Sequence, residues 1–441
     1  MVRGRALAAH EQYRKKGRLP GSAEKFWFLE KTRALDFSAR QCGGALHRRS
    51  DAAASTHSGG AADDNWHTVA MAEPLKNQFG TDVPIAIAAM VKAVHPAFPV
   101  KAFLRDAVAG YDALELMPRG RHLARVLRQH LPADYRAAIR ILLASTAQPS
   151  GRDPTASMAS FLFMPHSFFV AEFGLDHFEP SMHAHYALTQ RFTSEFSIRP
   201  FLIHHPKATL ATLAKWARDP NEQVRRLVSE GTRPRLPWAP RLPAFQADPT
   251  PVLELLDLLK DDPALVVRRS VANNLNDIGK DHPQLLVDTA RRWLADATPE
   301  REWVVRHALR WAVKNGDPLA LEVLGFGKPA HVAIRNAVIS PPRARMGAAV
   351  SISFDLHNPR SRPQDLLVDF QVHFVKSNGS TRVKVFKLKA VKLAGRQTVR
   401  LQKKLSLVEM TTRKHYAGHH TVEALVNGTA MPLGSFELLP A

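Results

Sequence analysis

A short pattern recurs three times in the second half of the chain at nearly constant spacing. Val224-Arg225, Val267-Arg268 and Val305-Arg306 follow one another at intervals of 43 and 38 residues. Helix-pair repeats of the HEAT kind have periods of about 40–47 residues, and each repeat buries its apolar face against its neighbours. The spacing therefore predicts a helical-repeat solenoid.

Aspartate-proline pairs precede two of these segments. Asp219-Pro220 and Asp262-Pro263 suit a helix start, because aspartate caps free amides and proline fits the first helical position. In such repeats the valine packs inward and the first arginine ties neighbouring repeats together. We therefore expect Arg225, Arg268 and Arg306 to bridge repeats, and we favour this over contacts with a ligand.

Hydrophobic periodicity divides the chain into three parts. Residues 1–70 contain too little apolar surface for a core, so we expect a disordered extension. Residues 71–337 repeat apolar residues at helical spacing, which predicts a HEAT-like repeat domain. Residues 338–441 alternate apolar with polar residues in about seven short segments. The predicted fold class is mainly α: a HEAT-like helical-repeat solenoid followed by a C-terminal all-β immunoglobulin-like sandwich.

The net charge of +21 points to a polyanionic partner, most often nucleic acid. A generally basic proteome is the alternative. The charge is densest at the end of the chain, where residues 341–441 hold 16 Lys and Arg against 6 Asp and Glu. Lys387 and Lys389 stand two apart in a predicted strand, so we expect them to share one face and bind DNA. Lysines that protect an edge strand from aggregation are the alternative.

Common metal and cofactor motifs are missing from the sequence. The single cysteine, Cys42, can form neither an internal disulfide nor a cysteine-ligated cluster, and it fits a reducing compartment. Glycine-rich phosphate loops are absent, and His183, His185 and His204-His205 lack a matching carboxylate motif. No apolar run approaches the ~20 residues of a membrane span. We expect a cytoplasmic monomer without metal or cofactor.

Three acids and one tryptophan remain as candidates for chemistry. Glu230 and Asp277 each stand near a glycine at a predicted helix end, with Trp238 between them among prolines. Glu195 lies in a stretch rich in phenylalanine. A glycine cap beside an incidental acid explains the two helix ends equally well. The helix dipole disfavours an acid at this end, which argues for a function.

The segments around these residues resemble hallmark segments of the AlkC subfamily of the HEAT-like-repeat DNA glycosylases. The resemblance is carried by SEGTRPRLPWAPRLP, RPFLIHHP and SVANNLNDIGKDHP, and ASFLFMPHSFFVAEFG adds to it. It covers roughly residues 71–327. The predicted sandwich resembles the immunoglobulin-like domain that some members of the subfamily append.

The resemblance implies a base excision repair enzyme that removes alkylated bases, chiefly N3-methyladenine and N3-methylcytosine, from double-stranded DNA in the bacterial nucleoid. The concave face of the solenoid would bind the duplex, and the damaged base would not be fully extruded. The resemblance assigns catalysis to Glu195, Glu230, Asp277 and Trp238. Phosphate contacts are expected from the flanking Arg226, Arg233, Arg235, Arg269 and Lys280. The alternative is a non-catalytic HEAT-repeat scaffold that binds nucleic acid.

Overall fold

The computed structural model describes residues 75–151, 158–409 and 414–440. Residues 1–70, where we expected a disordered extension, lie outside these ranges. The described part of the chain contains sixteen α-helices followed by eight β-strands, which confirms the predicted fold class. None of these helices is long and apolar enough to cross a membrane.

Most of the helices are short and end at prolines, glycines or turns. Three 3₁₀ turns at Leu75–Gln78, Tyr111–Ala113 and Ala159–Phe163 lie among them. The α-helices are α1 (Asp82–Val94), α2 (Val100–Val108), α3 (Leu116–His130), α4 (Tyr135–Ser145), α5 (Met164–Phe173), α6 (Phe178–Thr189), α7 (Ile198–His204), α8 (Pro206–Trp216), α9 (Glu222–Gly231), α10 (Pro243–Ala247), α11 (Thr250–Leu259), α12 (Leu265–Ile278), α13 (Pro283–Leu294), α14 (Pro299–Ala308), α15 (Arg310–Lys314) and α16 (Pro318–Val323).

The three helices that carry the recurring Val-Arg pattern lie side by side. Helix α9 packs on α12, and α12 packs on α14. Their valines Val224, Val267 and Val305 are fully buried. Each of these helices also packs on the one before it, so α8, α11 and α13 form a second layer. The helical repeats predicted from the spacing are therefore confirmed.

The two Asp-Pro pairs lie just before the helices and do not open them. Asn221 caps α9, since its Oδ1 accepts hydrogen bonds from two amides of the first turn. Asp219 accepts from the Asn221 amide at 2.8 Å, and Asp262 accepts from the Ala264 amide at the same distance. The expected capping role is wrong at these two positions, because the N-cap residues are Asn221 and Ala264, and each aspartate instead closes the turn that leads into the helix.

One of the three arginines expected to bridge repeats does so. Nε and Nη2 of Arg225 contact the two carboxylate oxygens of Asp262 at 2.5 and 2.9 Å, which ties α9 to the turn before α12. Arg268 instead donates to the backbone carbonyl of Asp262 in its own repeat. Arg306 pairs with Glu302 at 3.8 Å on its own helix. The expectation is confirmed for Arg225 and is wrong for the other two.

The C-terminal region is a sandwich of two sheets with an apolar interior. One sheet has the strand order β1-β3-β6 and the other β2-β8-β7-β4-β5. The strands are β1 (Ala333–Ser340), β2 (Arg343–Arg345), β3 (Ala349–His357), β4 (Gln364–Val375), β5 (Thr381–Leu393), β6 (Thr398–Ser406), β7 (Gly418–Val426) and β8 (Thr429–Leu439).

Strand β1 begins before residue 338, where we expected the domain to start. A register shift between Arg335 and Val338 interrupts its alternation, and Asn336 there has a φ of 50°. Such a bulge hides the period of two on which a strand prediction depends.

A second bulge separates Lys387 from Lys389. Lys387 is in register with Asp369, and Lys389 with Val368, so Leu388 is the extra residue. The amide of Leu388 donates to Oδ1 of Asp369 at 3.1 Å. Val368 is buried inside the sandwich, and adjacent strand residues point to opposite faces. Regular alternation therefore no longer fixes the relative direction of the two lysines, although both are exposed and Leu388 between them packs against the sandwich core.

Candidate active site

The three candidate acids come together in the interior of the solenoid. Glu230 lies in the last turn of α9, Asp277 in the last turn of α12, and Glu195 in the turn that precedes α7. Their exposed fractions are only 1, 1 and 3%. A buried carboxylate is costly without a partner. The groups that surround these acids therefore decide what they can do.

Arg233 joins the acids of two successive repeats. It follows α9 directly, and its Nη1 donates to Oε1 of Glu230 at 2.8 Å. Its Nε and Nη2 lie 2.8 and 2.7 Å from Oδ2 of Asp277. The planar guanidinium has five donors in fixed directions, which suits it to hold two carboxylates at once.

Arg226 extends the same network to the third acid. Its Nη2 donates to Oε2 of Glu195 at 2.7 Å and lies 3.7 Å from Oε1 of Glu230. The hydroxyl of Thr193 also donates to Oε2 of Glu195, at 3.2 Å. Three acids from three successive parts of the solenoid are thus linked through two arginines.

The acids keep both arginines charged in spite of burial. Burial lowers the pKa of Arg226, but the carboxylates of Glu195 and Glu230 more than offset it and the net shift is upward. The pKa of Arg233 is also raised, because Glu230 and Asp277 outweigh its burial.

Lys280 completes the charge balance of the cluster. Its Nζ lies 2.9 Å from Oδ1 of Asp277, and its side chain is 30% exposed. With the two arginines it sets three positive charges against the three carboxylates. Lys280 is the most exposed of the three cations that contact these acids.

Neutral side chains also hold Glu230 in place, and sequence reasoning did not identify them. The hydroxyl of Ser270 donates to Oε2 of Glu230 at 2.7 Å. Ser229 donates to Ser270 at 2.7 Å, and Asn274 donates to the Ser229 carbonyl at 2.8 Å. Ser270 and Asn274 face α9 from α12. A helical wheel of α12 places both residues on the same side as Asp277. This shared face is the feature of the sequence from which they could have been identified.

Trp238 is exposed to solvent, whereas the three acids are buried. It is 63% exposed and has a φ of 64°, in the left-handed region that a bulky side chain rarely adopts. An exposed indole on a strained backbone has to be held there by the rest of the loop.

Arg199, which sequence reasoning also missed, holds this loop. Its Nη1 donates to the carbonyls of Gly231 and Arg233 at 3.0 and 2.9 Å. Its Nε and Nη2 donate to the Pro240 carbonyl at 3.1 and 2.6 Å. Both ends of the segment that carries Trp238 are therefore attached to one buried guanidinium. Burial is the largest cause that lowers the pKa of Arg199, to about 10.

The residues expected to contact phosphates fall into two groups. Arg226 and Arg233 are 4 and 5% exposed and are occupied by the acids, so the structure assigns them to the carboxylate network. Arg235 is partly exposed and forms two hydrogen bonds with Asp281. Arg269 is partly buried, which lowers its pKa. Across the described ranges, no group of three His, Cys, Asp or Glu is arranged to hold a metal.

Known proteins share this architecture over most of the chain. The solved alkylpurine DNA glycosylase AlkC of Pseudomonas fluorescens, bound to DNA containing an abasic site analog, is 40% identical, with a TM-score of 0.78. The match covers 83% of this chain and 100% of that one. The chain belongs to the AlkC family. Because the match is longer than the solenoid, the likeness to AlkC extends into the sandwich.

Two further comparisons agree with this assignment. The uncharacterized protein YhaZ of Bacillus subtilis strain 168 is 35% identical over 355 residues, which is 80% of this chain and 96% of that protein. Residues 333–440 match the family model of the C-terminal Ig-like domain of uncharacterised protein YhaZ. The Ig-like sandwich is thus a shared part of these AlkC relatives.

Proposed function

We propose that this protein is a DNA glycosylase that removes cationic N3-alkylated bases, 3-methyladenine and 3-methylcytosine, from duplex DNA in base excision repair. The observation that carries the proposal is the convergence of Glu195, Glu230 and Asp277 around two arginines, one of which, Arg233, lies at the start of the loop that carries the exposed Trp238. Family membership supports it, since the solved AlkC relative is described as an alkylpurine DNA glycosylase.

The reaction needs little more than the stabilisation of positive charge. An N3-alkylated base is already cationic, so the bond from C1′ to the base nitrogen breaks with both electrons passing to the base. The sugar becomes oxocarbenium-like, as in glycoside hydrolysis, and a fixed carboxylate stabilises that charge. Water then adds to C1′ and loses a proton, which leaves an abasic site.

Asp277 is the acid that we assign to face the sugar. Its Oδ2 takes both contacts from Arg233, whereas its Oδ1 faces the partly exposed ammonium of Lys280. A DNA phosphate competes with Asp277 for Lys280, because an ammonium is a point charge on a flexible stem. When Lys280 moves to the phosphate, Oδ1 of Asp277 is turned toward the duplex. Arg226 and Arg233 keep the carboxylates aligned throughout.

Trp238 contributes to the recognition of the charged lesion. An indole face beside a cation gains about 0.5–2 kcal/mol. Its 63% exposure means that the ring projects from the protein and does not line an enclosed pocket. We therefore propose that the base is not fully extruded, because the tryptophan meets the duplex outside any enclosed pocket.

The direct test is base release from duplexes that carry one 3-methyladenine or one 3-methylcytosine, without added metal. Free base is quantified by chromatography, abasic sites by alkaline strand cleavage, and DNA binding by fluorescence anisotropy on the same samples. We expect base release by the wild-type protein. Intact binding with no release from either lesion would instead favour the non-catalytic scaffold.

A further inference from the structure

A closed ring of side-chain contacts joins α12 to the end of α9. The hydroxyl of Ser270 donates to Oε2 of Glu230 at 2.7 Å, and Oε1 of the same carboxylate accepts from Nη1 of Arg233 at 2.8 Å. Nε of Arg233 then donates to Oδ2 of Asp277 at 2.8 Å. Ser270 and Asp277 both stand on α12, so the ring returns to the helix on which it began.

The spacing of the four residues makes the ring stiff. Ser270 and Asp277 are seven residues apart, which is about two helical turns, so they lie on one face of α12. Glu230 lies in the last turn of α9, and Arg233 follows that helix directly. Because α9 packs on α12, the backbone on each side of the ring is fixed, and the ring loosens mainly through its side chains.

Asn274 supports the ring from within the same face of α12. It stands four residues after Ser270 and three before Asp277. Its Nδ2 donates to the carbonyl of Ser229 at 2.8 Å and to Oγ1 of Thr232 at 3.0 Å. The last carbonyls of a helix have no partner within the helix, so a side chain that reaches them fixes the helix end. Helix α12 therefore holds the end of α9 at several points.

The proton of each hydroxyl has a defined direction. A hydroxyl has one proton, and an ionised carboxylate only accepts, so Ser270 donates to Glu230. The 2.7 Å contact between Oγ of Ser229 and Oγ of Ser270 then takes its proton from Ser229. All three side chains are buried, and successive hydrogen bonds in such surroundings strengthen one another. The two serines thus form a short chain that ends on Glu230.

Loss of the Ser270 hydroxyl would free Glu230 to turn. Its Oε2 would lose this donor in a buried site, which is costly for a charged acceptor. A competing cation is close, because Nη2 of Arg226 lies 3.7 Å from Oε1 of Glu230. A turn of the carboxylate toward Arg226 would withdraw it from Arg233. The arginine would then hold Asp277 less firmly, although Ser270 itself does not contact Asp277 in the ring.

We propose that Ser270 is a positioning residue for Asp277 and acts through Glu230 and Arg233. The inference rests on the proposed function for the role of Asp277 at the sugar. The ring holds Oδ2 of Asp277, so Oδ1 keeps the direction in which it faces Lys280 and, in the reaction, C1′. A serine that only fills space between two helices would not affect the rate in this way.

The test compares variants of buried serines. Ser270→Ala removes the donor to Glu230, Ser270→Thr keeps a hydroxyl, and Ser229→Ala removes only the donor to Ser270. Ser145→Ala is the matched control, because buried Ser145 on α4 donates to the carbonyl of Leu142 at 2.7 Å. Single-turnover release from a duplex with one 3-methyladenine gives the maximal rate and the half-saturating protein concentration, and melting temperatures are recorded for all variants.

We expect Ser270→Ala to lower the maximal rate by about 10–100-fold, as for a small misplacement of a reacting group. The half-saturating concentration should stay within about threefold of wild type, and Ser270→Thr should recover most of the rate. Ser229→Ala should slow release by about threefold and carries the test if Ser270→Ala does not fold. Ser145→Ala should lower the melting temperature to a similar extent as Ser270→Ala but keep the rate within about threefold of wild type.

Two further measurements show whether Ser270 acts through the ring. The double variant with Asp277→Asn should be about as slow as Asp277→Asn alone, since residues that act through one another are not additive. In ¹⁵N-arginine-labelled protein, the Nε–H resonance of Arg233 is identified by its loss in Arg233→Lys. Ser270→Ala should shift this resonance and speed its exchange with water by about tenfold or more, whereas Ser145→Ala should leave both unchanged.

Two outcomes would overturn the positioning role. In one, Ser270→Ala and Ser145→Ala lose rate in the same proportion to their loss of melting temperature. In the other, Ser270→Ala slows Asp277→Asn by as much as it slows the wild type. The resonance of Arg233 does not depend on base release. A wild-type protein that releases no base, but whose Arg233 resonance responds to Ser270→Ala, would overturn the glycosylase and leave the ring in place.

Discussion

The guanidinium of Arg233 lies against a single oxygen of Asp277, with Nε and Nη2 at 2.8 and 2.7 Å from Oδ2. The other oxygen, Oδ1, faces Lys280 at 2.9 Å. The two halves of this carboxylate therefore have different partners. One half is anchored to a buried arginine, and the other is covered by a lysine that solvent reaches.

Replacement of Asp277 by asparagine should separate chemistry from binding. We expect Asp277→Asn to lower the rate of base release by about 10²–10³-fold, as for the loss of one electrostatic group at a developing charge. DNA affinity should change by less than about threefold. Single-turnover release of 3-methyladenine and fluorescence anisotropy measure the two quantities.

The matched control for this variant is Asp281→Asn. Asp281 pairs with the partly exposed Arg235 and lies four residues after Asp277, in the turn that follows α12. The same loss of charge there should leave the rate of base release within a few-fold of wild type. If Asp277→Asn lost binding and release in equal measure, Asp277 would be a folding or binding residue and the assigned role would be wrong.

The helices and the three acids could be predicted from the sequence, but the partners of the acids could not. Apolar periodicity predicts α9 and α12 because burial of their valines follows from spacing alone. Resemblance to the family identified Glu195, Glu230 and Asp277. The sequence shows that Arg226 and Arg233 stand close to Glu230 along the chain. It does not show that their side chains point into the interior of the solenoid.

Two further features that the sequence did not reveal also depend on contacts between distant parts of the chain. The bulge at Leu388 depends on a hydrogen bond to Asp369 in another strand, and no local pattern encodes it. Arg199 reaches the Trp238 loop across the fold, through backbone carbonyls that any sequence supplies. Contacts of this kind depend on tertiary geometry, so only the structure shows them.

Trp238 should be dispensable for folding but needed for activity. Its φ of 64° costs about 1 kcal/mol or more for a bulky residue, and glycine adopts this conformation readily. We therefore expect Trp238→Gly to leave the free energy of unfolding unchanged within about 1 kcal/mol, and to slow the release of 3-methyladenine by about 3–30-fold. Urea unfolding and single-turnover kinetics are the measurements. Trp238→Phe, which keeps an aromatic face, should recover part of the rate.

Arg199 is expected to act as a positioning residue for the Trp238 loop. Arg199→Met removes four hydrogen bonds to the loop carbonyls, so the indole loses its fixed position. We expect base release to fall at least as far as in Trp238→Gly, with faster tryptophan anisotropy decay in a variant that keeps Trp238 as its only tryptophan. The double variant with Trp238→Gly should be no slower than the slower single variant. Additive losses would instead indicate that Arg199 acts on the rest of the fold.

Buried histidines should make the fold sensitive to mild acid. Burial lowers the pKa of His166 to about 4 and that of His185 to about 3, whereas an unfolded histidine has a pKa near 6.5. Between these values the unfolded chain binds more protons, so the free energy of unfolding falls as the pH drops below about 6.5. Each histidine contributes at most about 1.4 kcal/mol per pH unit.

Urea unfolding between about pH 7.5 and 5.5 measures this slope, in a range where most carboxylates stay ionised. His185→Gln should lower the slope by nearly one proton. Equal slopes in the wild type and His185→Gln would show that His185 does not contribute to the acid sensitivity.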